Sequence, residues 1–330
     1  MPVWNASDTV AAAIASVQAQ TLRDWELLAV DDGSDDGSAA LLAAAAATDA
    51  RIRVLHRPHA GIVAALNAGI AAARAPFIAR LDADDICLPE RLERQLARLV
   101  AEPELGLVGC RVRYGGDRES QAGYAAYVDW TNSLVTAEQI DHERFVESPF
   151  AHPSVMFRAD LLAAHGGYTD GEFPEDYELW LRWLDTGVRM AKVDAELLIW
   201  QDPPGRLSRT DPRYSVDAFH ALKARYLAAW LARHNPQHPA VWIWGAGRIT
   251  RKRAEHLVDH GVRIVGYVDI DPKKIGQIIH GRPVVGPDDL PPPAAAFILP
   301  YVANRGAREL IAARLAAAGF TIGTNYLPAG

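Results

Sequence analysis

The stretch "PFIARLDADDICLPERL" (residues 76–92) contains, in order, a short apolar strand, an acidic turn and the start of a helix. Three aspartates of the turn, Asp82, Asp84 and Asp85, lie within four positions. Like charges this close raise one another's pKa, so the cluster is stable only in water or around a cation. This turn is therefore the first place in the chain where chemistry is expected.

The same order of strand, turn and helix recurs along the first two-thirds of the chain. "WELLAVDDGSDDGS" (residues 25–38) is an apolar strand closed by an acidic turn, and an alanine-rich helix follows it. This alternation predicts an α/β fold with a mostly parallel sheet flanked by helices. Because ligands bind beyond the carboxyl ends of such strands, the two acidic turns are expected to share one site. Residues 115–149 have weak periodicity and are expected to form loops that line a cleft, or else to pack beneath one.

Length and composition predict two domains. The chain has 330 residues, 49% of them hydrophobic, which is enough to bury two cores. We expect a catalytic domain over residues 1–210, a helical linker over 211–238 and a smaller Rossmann-like α/β domain over 239–330. Only "MPVWN" precedes the first helix, whereas a central strand usually needs about five or six residues, so the first strand is expected to be truncated.

Charge and cysteine content limit the classes of binding partner and the cellular compartment that are expected. The formal net charge is −7, which gives no general attraction to nucleic acid. Cys87 and Cys110 cannot form a disulfide framework, so a reduced, cytoplasmic setting is expected. No apolar run approaches the roughly 20 residues that span a bilayer. Peripheral attachment to the inner face of the membrane stays open, as does homo-oligomer formation.

Asp82 and Asp84 form a D-x-D pair that suits a divalent ion carrying a nucleoside diphosphate. Mg²⁺ and Mn²⁺ prefer oxygen ligands and keep room for phosphate oxygens and water. The residues alone leave two alternatives open, since acids at strand ends also cap helices and serve as nucleophiles in some phosphatases. Asp85 is the most replaceable of the three, because it is expected to cap the helix that follows.

Three long segments resemble, in order and spacing, the family 2 glycosyltransferases, which are inverting enzymes with a GT-A type fold. They are residues 1–38, residues 59–85 ("HAGIVAALNAGIAAARAPFIARLDADD") and residues 152–183 ("HPSVMFRADLLAAHGGYTDGEFPEDYELWLRW"). The resemblance covers about residues 1–210. It implies transfer of a sugar from a nucleoside diphosphate, with UDP expected, to a glycan or lipid-linked acceptor in cell-surface polysaccharide synthesis.

The resemblance implies a set of residues at the donor nucleotide: Pro2, Val3, Asn5, Asp32, Asn67, Arg80 and Asp82. Asp32 would contact the base of the donor, and Asp82 and Asp84 would hold the diphosphate and its Mg²⁺ or Mn²⁺. Two structural alternatives remain: Asn67 as a helix-surface amide, and Arg80 as a surface cation paired with a nearby aspartate.

Glu175 and Asp176 match the family's "ED" motif, which supplies the catalytic base. An acceptor hydroxyl is a poor nucleophile until a positioned carboxylate takes its proton. We expect Asp176 to be this base, with Glu175 as the alternate. Pro174 fits a helix start, where the positive end of the helix dipole would keep the base ionised. Without the other motifs, both acids could merely stabilise that helix end.

The remaining candidates for acceptor or phosphate contacts are His152, Arg206 and Arg209. His152 matches a family position near the active site. Many relatives have an Arg and a His after the last strand, where this chain has Gln201 and Pro203. Arg206 or Arg209 is expected to contact the phosphates instead.

The last third of the chain contains part of a dinucleotide-binding fingerprint. Gly245 and Gly247 lie at a strand-to-helix turn and Asp269 ends the next strand, but Thr250 replaces the third glycine. The stretch resembles the nucleotide-binding-like half-domain of sugar-modifying acyltransferases. A weak nucleotide site, an oligomerisation role and an inactive remnant all remain open.

The helix over residues 215–234 has an apolar face that includes Leu222, Tyr226 and Trp230. Packing between domains is preferred here to docking on a membrane surface. Two functions compete with glycosyl transfer. One is a non-catalytic nucleotide-sugar-binding module, and the other is an NAD-dependent oxidoreductase that uses the C-terminal domain.

Overall fold

The structure is a computed structural model that describes residues 1–203, 205–302, 304 and 306–330. The chain forms two compact units. The first comprises Met1–Ile140 with Ser148–Thr210, and the second comprises Asp141–Glu147 with Asp211–Gly330. The helix that was predicted within a linker therefore belongs to the second unit.

From Met1 to Thr210, apart from residues 115–149, the helices and strands follow the predicted alternation. In chain order they are β1 (Pro2–Val3), α1 (Val10–Gln18), β2 (Leu27–Asp31), α2 (Ser38–Thr48), β3 (Ile52–His56), α3 (Ile62–Ala72), β4 (Phe77–Ala79), β5 (Ile86–Cys87), α4 (Arg91–Ala101), β6 (Leu105–Tyr114), α5 (Ala122–Ser133), α6 (Ala137–Glu143), β7 (Met156–Arg158), α7 (Asp160–His165), α8 (Glu175–Asp185), β8 (Arg189–Trp200) and α9 (Leu207–Thr210).

The strands of the first unit form two sheets. One has the order β1-β2-β3 and is parallel, with Pro2 opposite Val30 and Val3 opposite Asp31. The other has the order β4-β7-β6-β8-β5, in which β6 and β8 are parallel and the other pairs are antiparallel. Apolar strands such as β2 are largely buried because helices cover the sheet, as in other α/β folds. The acidic turns after β2 and β4 lie outside the strands.

Helix α8 is anchored by an aromatic core. Tyr177, Trp180 and Trp183 are completely buried. Trp180 packs edge-on against Phe150 with ring centroids 5.8 Å apart, and Trp183 packs against Phe157 at 5.3 Å. Edge-to-face pairs of this kind add about 0.5–1.5 kcal/mol each beyond the apolar area that they bury. This packing fixes the N-terminal end of α8, where the "ED" motif lies.

The prediction of loops over residues 115–149 was wrong, because α5 and α6 occupy much of this segment. Helix α5 buries Ala125, Val128 and Thr131. Thr131 is polar, and its hydroxyl donates to the carbonyl oxygen of Pro149 at 2.7 Å. A polar side chain on the buried face breaks the apolar stripe by which a helix is recognised in a sequence.

From Asp211 onward a second α/β unit follows. Its elements are α10 (Val216–His234), β9 (Ala240–Trp244), α11 (Arg248–Glu255), β10 (Arg263–Val268), β11 (Ile278–Ile279), β12 (Arg282–Val285), β13 (Ile298–Pro300) and α12 (Ala307–Ala317). Its sheet has the order β11-β12-β10-β9-β13 and is parallel except for the β11–β12 pair.

The apolar face of α10 is buried and does not form an exposed patch. Leu222, Tyr226 and Trp230 are each less than 8% exposed, and the Trp230 ring packs against Phe297. That face is therefore not available to a membrane surface. Across the described part of the chain, no helix combines the length and the hydropathy that crossing a bilayer requires.

Candidate active site

The acidic turn between β4 and β5 gathers three carboxylates. Oxygen atoms of Asp82, Asp84 and Asp85 all lie within 4.8 Å of one another. Burial, and then the charge of Asp82, raise the pKa of Asp84 to about 6. The same causes, with the charge of Asp84 added, raise the pKa of Asp85 well above its usual value. The crowding predicted from the sequence is therefore present, and Asp82 and Asp84 are partly accessible.

Asp85 does not cap the following helix, contrary to expectation. Strand β5 intervenes, and α4 begins only at Arg91 without a side-chain cap. Instead, Oδ1 of Asp85 accepts a hydrogen bond from the main-chain N–H of Gln201 at 2.7 Å. Asp85 thus ties the segment after β8 to the acidic turn.

The three carboxylates fit a divalent cation. Asp85 is 1% exposed, and its Oδ2 has no hydrogen-bond partner among the described residues. An ionised oxygen buried without a partner is costly, and a cation beside it would remove that cost. An all-oxygen set of this kind suits Mg²⁺ or Mn²⁺.

Arg80 connects this turn to the second group of acids. Its side chain is buried and forms an ion pair with Asp82, so it is not the surface cation considered as an alternative. Nη2 of Arg80 lies 3.3 Å from Nδ1 of His152, and that Nδ1 lies 3.8 Å from Oε1 of Glu175. Asp82, Arg80, His152 and Glu175 therefore lie in one continuous chain of contacts. The structure thus brings Asp82 and Glu175 into one group of side chains, although they are 93 positions apart in the sequence.

Asp176 is accessible where Glu175 is not. Glu175 is 2% exposed, whereas Asp176 is partly exposed at the start of α8. Burial, and then the charge of Glu175, raise the pKa of Asp176 to about 7, although the N–H of Tyr177 and the charge of Arg80 oppose the shift. The helix dipole was expected to favour the ionised form of this carboxylate, but burial and Glu175 outweigh it. A carboxylate with a pKa near neutrality can both accept and release a proton.

Asp32, in the turn after β2, bonds to the residues that precede α3. Asp32 is buried, and its carboxylate accepts hydrogen bonds from the N–H groups of Ala60 and Gly61 and contacts Nδ1 of His59 at 2.9 Å. The His59 ring stacks on Trp4 with centroids 4.6 Å apart. Asp32 thus fixes the entry to α3, and its contact with the donor base stays a prediction.

The N-terminal candidates lie beside that turn. Pro2 and Val3 form β1, and Val3 is buried. The N–H of Asn5 donates to the Ser34 hydroxyl, and Oδ1 of Asn5 accepts from the N–H of Asp35, both at 3.0 Å. Pro2, Val3 and Asn5 are therefore brought to the same turn as the acids that end β2.

Asn67 is not a helix-surface amide. Its Nδ2 donates to the carbonyl oxygen of Tyr168 at 2.9 Å, and its Oδ1 accepts from the N–H of Tyr168 at 3.1 Å. A single side chain therefore satisfies both main-chain groups of Tyr168. The amide of Asn67 therefore positions Tyr168, whose hydroxyl contacts His152. The assignment of Asn67 to the donor site did not predict this role.

The segment after β8 carries two arginines in different surroundings. The guanidinium of Arg206 lies 3.9 Å above the ring of Trp200, and its charge lowers the pKa of both Asp84 and Asp85. Both arginines contact Asp202: Arg206 lies 3.5 Å from its Oδ1, and Arg209 donates to its Oδ2 at 2.7 Å. Of these two arginines, Arg206 is thus the one whose charge acts on Asp84 and Asp85.

Residues 1–166 match the family model "Glycosyl transferase family 2". The chain belongs to this family. The chain is 30% identical over 190 residues to the amylovoran biosynthesis glycosyltransferase AmsE of Erwinia amylovora, covering 56% of this chain and 67% of AmsE. It is also 30% identical over 186 residues to the O-antigen biosynthesis glycosyltransferase WbnJ of Escherichia coli, covering 56% of this chain and 70% of WbnJ.

Solved structures with a similar fold support the GT-A assignment of this glycosyltransferase. Residues 1–349 of S. aureus TarS, in complex with UDP-GlcNAc, align with a TM-score of 0.52 and 14% identity, over 69% of this chain and 65% of that TarS chain. The mannosyltransferase PcManGT from Pyrobaculum calidifontis, in complex with GDP-Man and Mn²⁺, aligns with a TM-score of 0.50 and 17% identity, over 79% of this chain and 67% of PcManGT. The predicted family, fold class and enzyme class are confirmed.

Sequence reasoning missed two polar side chains at the site of the glycosyltransferase. Tyr168 contacts Nε2 of His152 through its hydroxyl at 2.7 Å. The Asp202 side chain is completely buried, and it contacts the Tyr114 hydroxyl as well as Arg206 and Arg209. The sequence places Asp202 between an apolar strand and two arginines, and this pattern could have identified it as a candidate.

The glycine turn of the second unit of this glycosyltransferase has the predicted strand, loop and helix order. Gly245 has a φ of +118°, and a Cβ there would lie 2.8 Å from Cγ2 of Thr250. The Asp269 carboxylate accepts from the N–H of Ala246 at 2.8 Å and from Nζ of Lys274 at 3.1 Å. Gly247 precedes α11. Nucleotide binding by Gly245, Gly247 and Asp269 stays a prediction.

Proposed function

We propose that this protein transfers a sugar, with inversion, from a UDP-sugar to a saccharide or lipid-linked acceptor in cell-surface polysaccharide synthesis. The observation that carries the proposal is the chain of contacts from Asp82 through Arg80 and His152 to Glu175. It links the acids suited to a diphosphate with the acids suited to proton transfer. The names of AmsE and WbnJ, which refer to amylovoran and O-antigen biosynthesis, support the choice of pathway class.

In the proposed reaction Asp176 acts as the base. Its carboxylate takes the proton of the acceptor hydroxyl while that oxygen attacks the anomeric carbon, and the nucleoside diphosphate leaves from the opposite face. A single displacement of this kind inverts the anomeric centre. Burial, and then the charge of Glu175, raise the pKa of Asp176 towards that of a neutral-pH base.

At the donor end, Asp82, Asp84 and Asp85 would hold Mg²⁺ or Mn²⁺. A divalent ion there supplies positive charge that stabilises the departing diphosphate. Arg206 supplies a further positive charge next to the same turn, and Asp32 with β1 would bind the nucleoside. The Mn²⁺ in the PcManGT complex and the UDP-GlcNAc in the TarS complex support this choice of ligands.

A screen of nucleotide sugars tests the proposal. The protein is incubated with Mn²⁺ and with UDP-, GDP- or dTDP-hexoses, and release of the nucleoside diphosphate is measured. We expect slow, Mn²⁺-dependent hydrolysis of at least one UDP-sugar. Binding of a UDP-sugar without hydrolysis or transfer would favour the non-catalytic module, and nicotinamide fluorescence on titration with NADH would favour the oxidoreductase.

The pH profile of this hydrolysis should report Asp176. Because the pKa of Asp176 is raised to about 7, the base is protonated below about pH 7, and the rate should fall there. Glu175→Gln removes the charge that is the second cause of the shift, so the acidic limb should move to lower pH. An unchanged limb in the variant would contradict the assignment of Asp176 as the titrating group. Asp194→Asn, which changes an exposed acid of β8, is the control.

Arg206→Ala should weaken UDP binding about tenfold, the loss expected for a charged phosphate contact. The reason is that, although both arginines contact Asp202, it is the charge of Arg206 that acts on Asp84 and Asp85. Arg209→Ala is the matched variant and should have a smaller effect. Isothermal titration of UDP in the presence of Mn²⁺ measures both, and an equal or reversed order of the two losses would contradict the distinction.

A further inference from the structure

The hydroxyl of Tyr168 contacts His152, the residue that lies between Arg80 and Glu175. Tyr168 is 6% exposed, and its phenol experiences the charges of Arg80, Asp176, Glu175 and Asp82. Its main chain is held in place by the Asn67 side chain, through hydrogen bonds of 2.9 and 3.1 Å. The position of the hydroxyl is therefore set by the fold and does not depend on a ligand.

The contact between His152 and Arg80 decides the direction of the next hydrogen bond. An arginine guanidinium can only donate, so Nδ1 of His152, 3.3 Å from Nη2 of Arg80, must accept. The neutral ring then carries its proton on Nε2. That N–H donates to the Tyr168 oxygen at 2.7 Å. Burial and the charge of Arg80 lower the pKa of His152 well below its usual value, which keeps the ring neutral.

The proton of the Tyr168 hydroxyl consequently remains available. The hydroxyl oxygen accepts from His152, and the described chain provides no acceptor for its own hydrogen. A buried donor without an acceptor costs free energy that a ligand oxygen would recover. The site thus contains one neutral donor whose oxygen is held by His152 and whose phenol lies within the electrostatic influence of Asp176.

We propose that the Tyr168 hydroxyl donates a hydrogen bond to a hydroxyl group of the sugar that is being transferred, and so contributes to the choice of donor sugar. This inference rests on the proposed function. In a single displacement the transferred sugar lies between the diphosphate and the base. The charges of Asp82, at one end of this interval, and of Asp176, at the other, both act on the phenol of Tyr168, and its hydroxyl contacts His152, which lies beside Glu175. His152 and Asn67 act as positioning residues, since they orient Tyr168.

The test compares Tyr168→Phe with wild type in titrations of UDP and of a UDP-hexose, both with Mn²⁺. The hexose is whichever of UDP-glucose, UDP-galactose and UDP-N-acetylglucosamine the wild-type protein hydrolyses fastest. The variant should bind the UDP-hexose about three- to tenfold more weakly, as expected for the loss of one neutral hydrogen bond, and UDP with unchanged affinity.

Tyr127→Phe is the matched control. Its hydroxyl donates to the carbonyl oxygens of Ser148 and Phe150 at 3.0 Å each, so the variant loses a tyrosine hydroxyl elsewhere in the same unit. It should bind both ligands as wild type does. Thermal melting of both variants establishes that they are folded.

Deoxy analogues of the same UDP-hexose provide a second arm. The analogue that lacks the bonded hydroxyl should bind wild type and Tyr168→Phe equally. The inference is overturned if Tyr168→Phe leaves the UDP-hexose affinity unchanged, weakens UDP equally, or loses affinity for every deoxy analogue. Failure of the wild type to bind any nucleotide sugar would instead refute the proposed function, and the inference with it.

Discussion

Asp176→Asn should reduce sugar transfer by about 10²–10⁴-fold, the range that general-base catalysis contributes. Asparagine keeps the shape of the side chain and can still accept from the Tyr177 N–H, but it cannot take a proton from the acceptor hydroxyl. Donor affinity should change little, because the base is separate from the acids at the diphosphate. The initial rate of UDP release, with and without acceptor, and the affinity for UDP are the measurements.

The stability of the Asp176→Asn variant provides an internal check. The pKa of Asp176 is raised in the folded state, so the ionised form destabilises the fold once the pH rises above the unfolded value. The variant should therefore melt no lower than wild type in alkaline buffer. Asp185→Asn, at the other end of α8, is the control for a change of charge on this helix. Full transfer activity in Asp176→Asn would leave Glu175 as the base or refute the site.

Elements with a continuous local pattern could be predicted from the sequence. β6 begins at Leu105 and ends at Tyr114, as its apolar run indicated, and α2 covers the alanine-rich segment Ser38–Thr48. In both cases the signal is contained within a dozen residues, because burial and helix propensity act on neighbouring side chains. The acids that end strands could be found for the same reason.

The contacts that organise the site could not be found this way, because they join distant parts of the chain. Asp85 bonds to the main chain of Gln201, 116 positions away, and Asn67 bonds to Tyr168 across 101 positions. The local reading of Asp85 as a helix cap was wrong because a tertiary contact takes its carboxylate.

The ionisation of Asp176 also could not be predicted from local sequence, and here the reason is energetic. The helix dipole is a local effect of about 0.3–1 kcal/mol. Burial and a second carboxylate act in the opposite direction and prevail, so the pKa rises to about 7. The sequence indicates the first effect, whereas the second depends on how α8 packs.

Asp84→Asn should reduce transfer by about 10²–10³-fold, because the lost carboxylate would remove several kcal/mol of metal-dependent charge stabilisation. Asp84 is partly accessible, and Asp85 is already bound to Gln201, so Asp84 is the carboxylate with the most freedom to meet an ion.

Mn²⁺ should raise the melting temperature of wild type, since a ligand that binds only the folded state stabilises it. It should have little effect on Asp84→Asn. Asp194→Asn should respond to Mn²⁺ as wild type does. Wild-type activity that persists in excess chelator would rule out a required metal, and an unchanged Mn²⁺ response in Asp84→Asn would place the ion elsewhere.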